Sequence, residues 1–294
     1  MSIAVANAPV SWGIMEVDGW NPPLPAGQFL DELVSAGYQA TELGPYGYLP
    51  TDPVRLRGEL TRRSVSLISA FVPLRLKEPG ADLEPVRQAG ALLGALGAKH
   101  VVLADAMWPE REAVSGRAAE AGVKLAEPEW RIVAENIGAA IEAAKEFGLR
   151  SVIHHHAGTY IETPEEIDRL LAITSLGLCL DTGHYVIGGG DPVEAVKRYG
   201  ARVEYLHFKD VDAGKLKQAR ERKLGFLDAV RSGVFCPLGQ GCVKFPELIR
   251  ELEAAGYRGW AVVEQDVETS EESAVSPLDC AIASRQYLKT ALGI

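Results

Sequence analysis

The chain has 294 residues, 47% of them hydrophobic and 24% charged, with a formal net charge of −10. That length buries a full core, as one large α/β domain or two smaller ones, without help from disulfides. The acidic excess repels phosphate backbones and anionic lipid, so the expected partners include neither nucleic acid nor a membrane surface.

The amino-terminal MSIAVANAPVSWG begins on an apolar strand, without the charged region, apolar core and cleavage site of an export signal, and no run of about 18 apolar residues follows it. The four cysteines, Cys179, Cys236, Cys242 and Cys280, form no C-x-x-C pair. They are expected to be reduced thiols in a cytoplasmic protein. The basic stretch KLKQARERK at 215–223 fits a solvated helix face.

From there β-type runs alternate with helical ones. The predicted strands are Ile3–Val10, Gln39–Leu43, Val65–Val72, Lys99–Ala104, Ser151–His155, Leu178–Leu180, Val203–His207 and Trp260–Glu264. Between them lie apolar-periodic stretches such as AGQFLDELVSAG, EWRIVAENIGAAIEAAKEFG and FPELIRELEAAG, each ending near a glycine as a helix C-cap does. Eight βα units in a chain of this length predict an α/β fold, a (β/α)8 TIM barrel, as a single domain over 1–294, with no repeat or linker to argue for a second. The segments 105–127 after the fourth strand and 211–244 after the seventh exceed ordinary βα loops and are expected to form a lid or rim at the carboxyl end of the barrel.

Ionisable residues collect at those carboxyl ends. The fifth strand runs into His154, His155 and His156, the sixth into Asp181 and His184, the seventh into His207, Lys209 and Asp210, and the eighth into Glu264. Side-chain alternation sends His154 and His156 to one side and His155 to the other, so His154 is expected as a ligand, His156 as a neighbouring catalytic group and His155 as a support. His154, Asp181, His207 and Glu264 thus offer two imidazoles and two carboxylates from four successive strands. Such a nitrogen and oxygen set suits Mn²⁺, Co²⁺ or Zn²⁺ better than Mg²⁺. Further candidates for contact with a bound molecule are Glu42 through its carboxylate, Asn7 and Trp12 as an amide contact and an apolar wall, His184 to orient the site, and Arg231 reaching it from the long insertion.

The stretches NAPVSWGIMEVDGW, HHHAGTYIETPEEIDRLL, LDTGHYVIGGGDP, YLHFKDV, FLDAVRSGVFCPLGQG and GYRGWAVVEQD resemble the xylose-isomerase-like TIM-barrel superfamily of sugar isomerases, epimerases and AP endonucleases and, within it, the inosose dehydratase family. The resemblance covers nearly the whole chain. It implies one divalent ion, Mn²⁺ or Co²⁺ in the first place, held by Asp181, His207 and Glu264, with His154 where most of the superfamily has a glutamate. It also implies loss of water from a cyclic polyol ketone, 2-keto-myo-inositol, with Glu264 or His156 as base and Lys209 or His156 as acid. A homo-oligomer is compatible with this picture.

An isomerase or epimerase of the same superfamily is the alternative enzyme, and His154 in place of the second glutamate counts against it. An AP endonuclease is disfavoured by the acidic charge and by PLGQGCVKF, which lacks a histidine for a metal cluster. A sugar-binding barrel without turnover is the more distant alternative, and the retention of all four ligand-type residues speaks against it.

Overall fold

The computed structural model describes residues 3–17, 20, 24–269 and 276–294. Its strands are β1 (Ala4–Asn7), β2 (Ala40–Glu42), β3 (Ser66–Ser69), β4 (Phe71–Leu74), β5 (His100–Asp105), β6 (Arg150–His154), β7 (Gly177–Asp181), β8 (Val203–Phe208), β9 (Asp210–Val211), β10 (Phe235–Cys236) and β11 (Trp260–Val263). Nine of them form one sheet in the order β3-β2-β1-β11-β8-β7-β6-β5-β4. Every pairing in it is parallel.

The expected third strand is present but divided. Ser66–Ser69 pairs with β2 and Phe71–Leu74 pairs with β5. Between them the Ala70 carbonyl accepts from the Val102 amide at 2.9 Å, and the Ser69 carbonyl accepts from the Leu43 amide at 3.0 Å. One extended run therefore passes from one neighbour to the other and closes the sheet into the eight-unit barrel expected from the sequence.

Strands covered on both faces read as nearly continuous apolar runs, which is why these segments were legible. The barrel interior is packed by mostly small side chains, among them Ala6, Ala8, Ala40, Val152, Cys179 and Val262 around Tyr205. Outside, helices Glu84–Leu96, Glu127–Lys145 and Phe245–Ala254 bury Val86 and Leu93, Val133 and Ile137, and Leu248 and Leu252. This outer layer supplies most of the apolar burial, at about 25 cal/mol per Å² removed from water.

Both insertions are ordered. The first carries short helices at Pro109–Glu112 and Ala118–Ala121. Its Arg111 is fully buried and makes a two-pronged pair with Glu166, Nη1 to Oε1 at 2.7 Å and Nη2 to Oε2 at 2.9 Å. Glu166 also completes the capping box of helix Pro164–Ile173 with Thr163, so one carboxylate ties the insertion to the next βα unit. The second insertion contains the antiparallel pair of β9 and β10 and helices Ala213–Glu221 and Phe226–Arg231. It is anchored by the Asp210 carboxylate, which accepts from the amides of Val211, Gly239, Gly241 and Val243 at 2.9 to 3.0 Å.

Removing the cation of a buried pair leaves its partner's charge uncompensated. Arg111→Met is expected to lower the urea unfolding free energy by about 3–5 kcal/mol, and adding Glu166→Gln to recover much of that loss. A single variant within about 1 kcal/mol of the wild type would show that the pair does not anchor the insertion.

Candidate active site

The site is built on strand register. Asp181 and His207 are register partners on β7 and β8, as are His207 and Val262 on β8 and β11, which carries Glu264 just beyond its end to the same level. His154 closes β6. Asp181 has a second duty as N-cap of helix Thr182–Ile187, where its Oδ1 accepts from the His184 amide at 2.7 Å. That bond fixes the carboxylate and leaves Oδ2, buried and without a hydrogen bond, turned toward the imidazoles.

The separations form a chain of neighbouring donors. His154 Nε2 lies 3.5 Å from Asp181 Oδ2, which lies 3.8 Å from His207 Nδ1, which lies 3.1 Å from Glu264 Oε2. On the other side, His207 Nε2 is 3.2 Å from Glu42 Oε1. Glu42 is oriented by the Ser69 hydroxyl, which donates to Oε1 at 2.7 Å and is itself 2.7 Å from the Tyr205 hydroxyl.

Lys209 lies across the cavity. Its Nζ is 2.6 Å from Asp266 Oδ1, 3.2 Å from Glu264 Oε2, 3.5 Å from Asp181 Oδ2 and 3.1 Å from His184 Nε2. Thr182 Oγ1 accepts from the Lys209 amide at 2.8 Å and donates to its carbonyl at 2.7 Å. Gly183 is required at its place, because a Cβ there would stand 2.8 Å from Lys209 Cγ and 3.0 Å from the Phe235 ring. Phe235 and Phe226 come from the second insertion, and their rings lie 5.7 and 5.5 Å from that of His184. The long insertion thus packs against His184, and none of its residues lines the cavity.

Burial disfavours charge on every group here, and neighbours decide the outcome. It holds His154 and His184 well below the usual histidine range, helped by adjacent imidazoles, and it takes His156 down to about 4 with Lys209 adding to the effect. At His207 burial is outweighed by Cys179, Glu264 and Glu42, so its pKa rises. At Glu264 burial is outweighed by His207 and Lys209, which hold the carboxyl at about 2. Lys209 is raised for the same reason, because Asp181, Asp266 and Glu264 offset its burial. Asp266, with burial dominant, is pushed up to about 6.

The cavity, about 60 Å³, is lined by Glu42, His154, His156, His184, His207, Lys209 and Glu264, together with Glu16 and Asp266. Four other expected residues lie elsewhere. His155 faces away from the cavity, with Nε2 accepting from the Asp181 amide at 3.2 Å and its ring against Tyr185. Asn7, flanked by interior-facing Ala6 and Ala8, accepts from the Ala8 amide through its own Oδ1 and does not line the cavity. Trp12 packs edge-on against Phe29 and donates from Nε1 to Glu32 at 2.8 Å, in the outer layer. Arg231 pairs with Asp228 and Glu268 and lies over Trp20, at the rim of a separate hollow. The expected amide contact, apolar wall and reaching arginine are therefore corrected, since β1 turns Asn7 out of the interior and local partners hold Trp12 and Arg231.

Two lining carboxylates went unassigned from the sequence. Asp266 follows Glu264 by two residues, so alternation in VVEQD was a usable signal. Glu16 lies in a loop without periodicity, open to the cavity mouth. Lost hydration first, then Glu264, Glu42 and Asp266, push its pKa upward, and that open side screens part of the shift.

His155 gives a pH signature free of cavity chemistry. Its folded-state pKa is depressed from the ordinary 6.5, chiefly by burial, so the unfolded chain binds a proton there that the folded chain does not. Its contribution is present above the unfolded value and is lost as pH falls below it. His155→Gln lacks that loss. The stability gap between wild type and variant is expected to narrow on going from about pH 7.5 to about pH 5.5, by up to about 1.4 kcal/mol per pH unit, in urea titrations. A gap independent of pH would contradict a neutral buried ring.

Residues 30–290 match the family model described as a xylose isomerase-like TIM barrel. The chain is 36% identical over 275 residues to a rhizopine catabolism protein, MocC, of Rhizobium meliloti, covering 92% of this chain and 84% of the other. It is 32% identical over 297 residues to an inosose dehydratase of Geobacillus kaustophilus, covering 97% and 93%. Among solved structures, the IOLI protein with a bound zinc atom superposes with a TM-score of 0.71 at 14% identity, over 99% of this chain and 98% of that one. A probable 3-DHS dehydratase, AsbF, of Bacillus anthracis does so with a TM-score of 0.69 at 14% identity, over 98% and 99%. These two likenesses concern the fold alone. With the family match spanning most of the barrel and named enzymes aligned along nearly its full length, the chain belongs to the xylose isomerase-like TIM-barrel family, as an enzyme similar to the inosose dehydratases within it.

Proposed function

We propose that the protein is a metal-dependent dehydratase that removes water from a cyclic polyol ketone, 2-keto-myo-inositol, to give a cyclohexane dione. The observation that carries this reading is the convergence of His154, Asp181, His207 and Glu264 from four neighbouring strands, with neighbouring donor atoms 3.1 to 3.8 Å apart. Ligand atoms sharing an ion at about 2.1 Å lie about 3.0–3.4 Å from one another, and the three neighbouring donor pairs are within a few tenths of an ångström of that spacing. The buried, unbonded Oδ2 of Asp181 and Nδ1 of His207 fit that use. Mn²⁺ and Co²⁺ suit two imidazoles and two carboxylates, and Zn²⁺ is accommodated by the same set.

A divalent ion held there supplies Lewis acidity toward a ketone oxygen and a vicinal hydroxyl. The remaining work falls to the protein. His156 Nδ1 donates to the Ala157 carbonyl at 2.7 Å, which leaves Nε2 with its lone pair free, and the ring is neutral at pH 7. It is the better base of the two candidates, since Glu264 is held near 2 by its cationic neighbours. His156 takes the proton from the carbon beside the ketone. The bond from the adjoining carbon to its hydroxyl breaks, Lys209 gives a proton to the departing oxygen, and water leaves behind an enol that becomes the dione. Glu42 and Glu16 face the same space as acceptors for ring hydroxyls.

Chelator-treated protein is expected to be inert toward 2-keto-myo-inositol. Mn²⁺ or Co²⁺ is expected to restore loss of one water, followed by mass and by ultraviolet absorbance of the enolic product. Lys209→Met and His156→Phe are each expected to lower kcat by about 10²–10⁴-fold. A product of unchanged mass that is a new keto-inositol isomer would replace this reading with an isomerase or epimerase. Turnover unaffected by chelation would overturn it.

A further inference from the structure

A second set of cation ligands lies one layer deeper in the barrel. Cys179 is on β7 two residues before Asp181, and its register partner on β6 is His154. His154, Cys179 and His207 each offer a ligand atom, all within 4.8 Å of one another. The thiol is 0% exposed and each imidazole 1% exposed. Cys179 forms no disulfide and packs among Ala6, Ala8 and Val262 beneath the cavity floor. Among the described residues, Nδ1 of His154 and Nδ1 of His207 are both buried and make no hydrogen bond, with Glu264 Oε2 lying 3.1 Å from the latter. An imidazole nitrogen left without a hydrogen bond on each histidine, beside a reduced thiol, suits a soft cation and is not something apolar packing alone requires.

We propose that Cys179 makes, with His154 and His207, a soft-cation site that competes with the carboxylate-bearing site for the same two imidazoles. It shares these histidines with the ion of the proposed dehydratase but does not depend on the reaction. Thiolate favours Zn²⁺ and Cd²⁺, whereas Mn²⁺ keeps to carboxylate oxygen. A cation entering the deeper set displaces the Cys179 proton to solvent, forms bonds to one sulfur and two nitrogens, and leaves a fourth position open. Edges of a tetrahedral zinc site with these ligands are about 3.4–3.7 Å, so ligand atoms at the 4.8 Å limit would close by about 1 Å on binding. The small side chains beneath give the thiol room for that. Because His154 and His207 are then withdrawn from Asp181 and Glu264, Zn²⁺ in the deeper set opposes occupancy of the upper one. The barrel therefore selects its metal by depth: hard ions stay at the mouth and soft ions sink.

The test uses reduced, chelator-treated full-length protein titrated with Cd²⁺ and with Mn²⁺. One equivalent of Cd²⁺ is expected to raise a sulfur-to-metal charge-transfer absorption in the ultraviolet. Cys179→Ser is expected to lose that absorption and weaken Cd²⁺ binding by at least about tenfold, while Mn²⁺ affinity, read by the loss of its free electron paramagnetic resonance signal, stays within about twofold. Circular dichroism checks the fold, and Cys179→Ala serves if serine does not fold. Absence of the band in the wild type, or its persistence in the Cys179 variant through the other thiols, overturns the proposal. Wild-type protein that shows the band but binds no Mn²⁺ supports the soft site and removes the upper one.

Discussion

Charge compensation in a dry barrel mouth is the constraint from which the rest follows. Asp181, Glu264, Asp266 and Glu42 are all less than a tenth exposed, the first three around the ammonium group of Lys209 and the last joined to Glu264 through His207. An isolated buried carboxylate would take up a proton. Here Lys209, itself buried, contacts three of the four and His207 contacts Glu42 and Glu264, so each acid of the cavity has a cationic or donor group beside it. The divalent ion proposed for the mouth would extend the same arrangement.

Much of the surrounding architecture serves to hold that lysine. Thr182 bonds both backbone groups of Lys209, Gly183 lets its stem approach, and Phe235 lies 5.1 Å from the ammonium. The next residue, Asp210, gathers four amides and so fixes the insertion that carries Phe235. The D-T-G-H segment thus carries an acid, a clamp, a gap and an imidazole in four consecutive places, which explains why a short stretch does so much of the positioning. On the far side Arg111 and Glu166 secure the other insertion without touching the cavity.

The barrel was legible because strands covered on both faces are apolar over most of their length and helices keep a 3.6 period. The opposed directions of His154 and His155 followed from alternation alone. The division of the third strand at Ala70 was not legible, since nothing local marks where an extended run exchanges one neighbour for another. Asn7 was misread for a related reason: both faces of β1 are buried at its carboxyl end, so its polarity gave no clue to its direction. Trp12 and Arg231 were misplaced because Glu32, Asp228 and Glu268 hold them, the first and last through distant contacts. Glu16 belongs to a loop whose course over the mouth is a product of the closed barrel.

The account stands on one claim, that four side chains from neighbouring strands share one ion. Anomalous diffraction from crystals of Mn²⁺-loaded protein tests it most directly. The account expects one dominant peak in contact with His154, Asp181, His207 and Glu264. No peak in the cavity, or a peak coordinated without two or more of those residues, would contradict it.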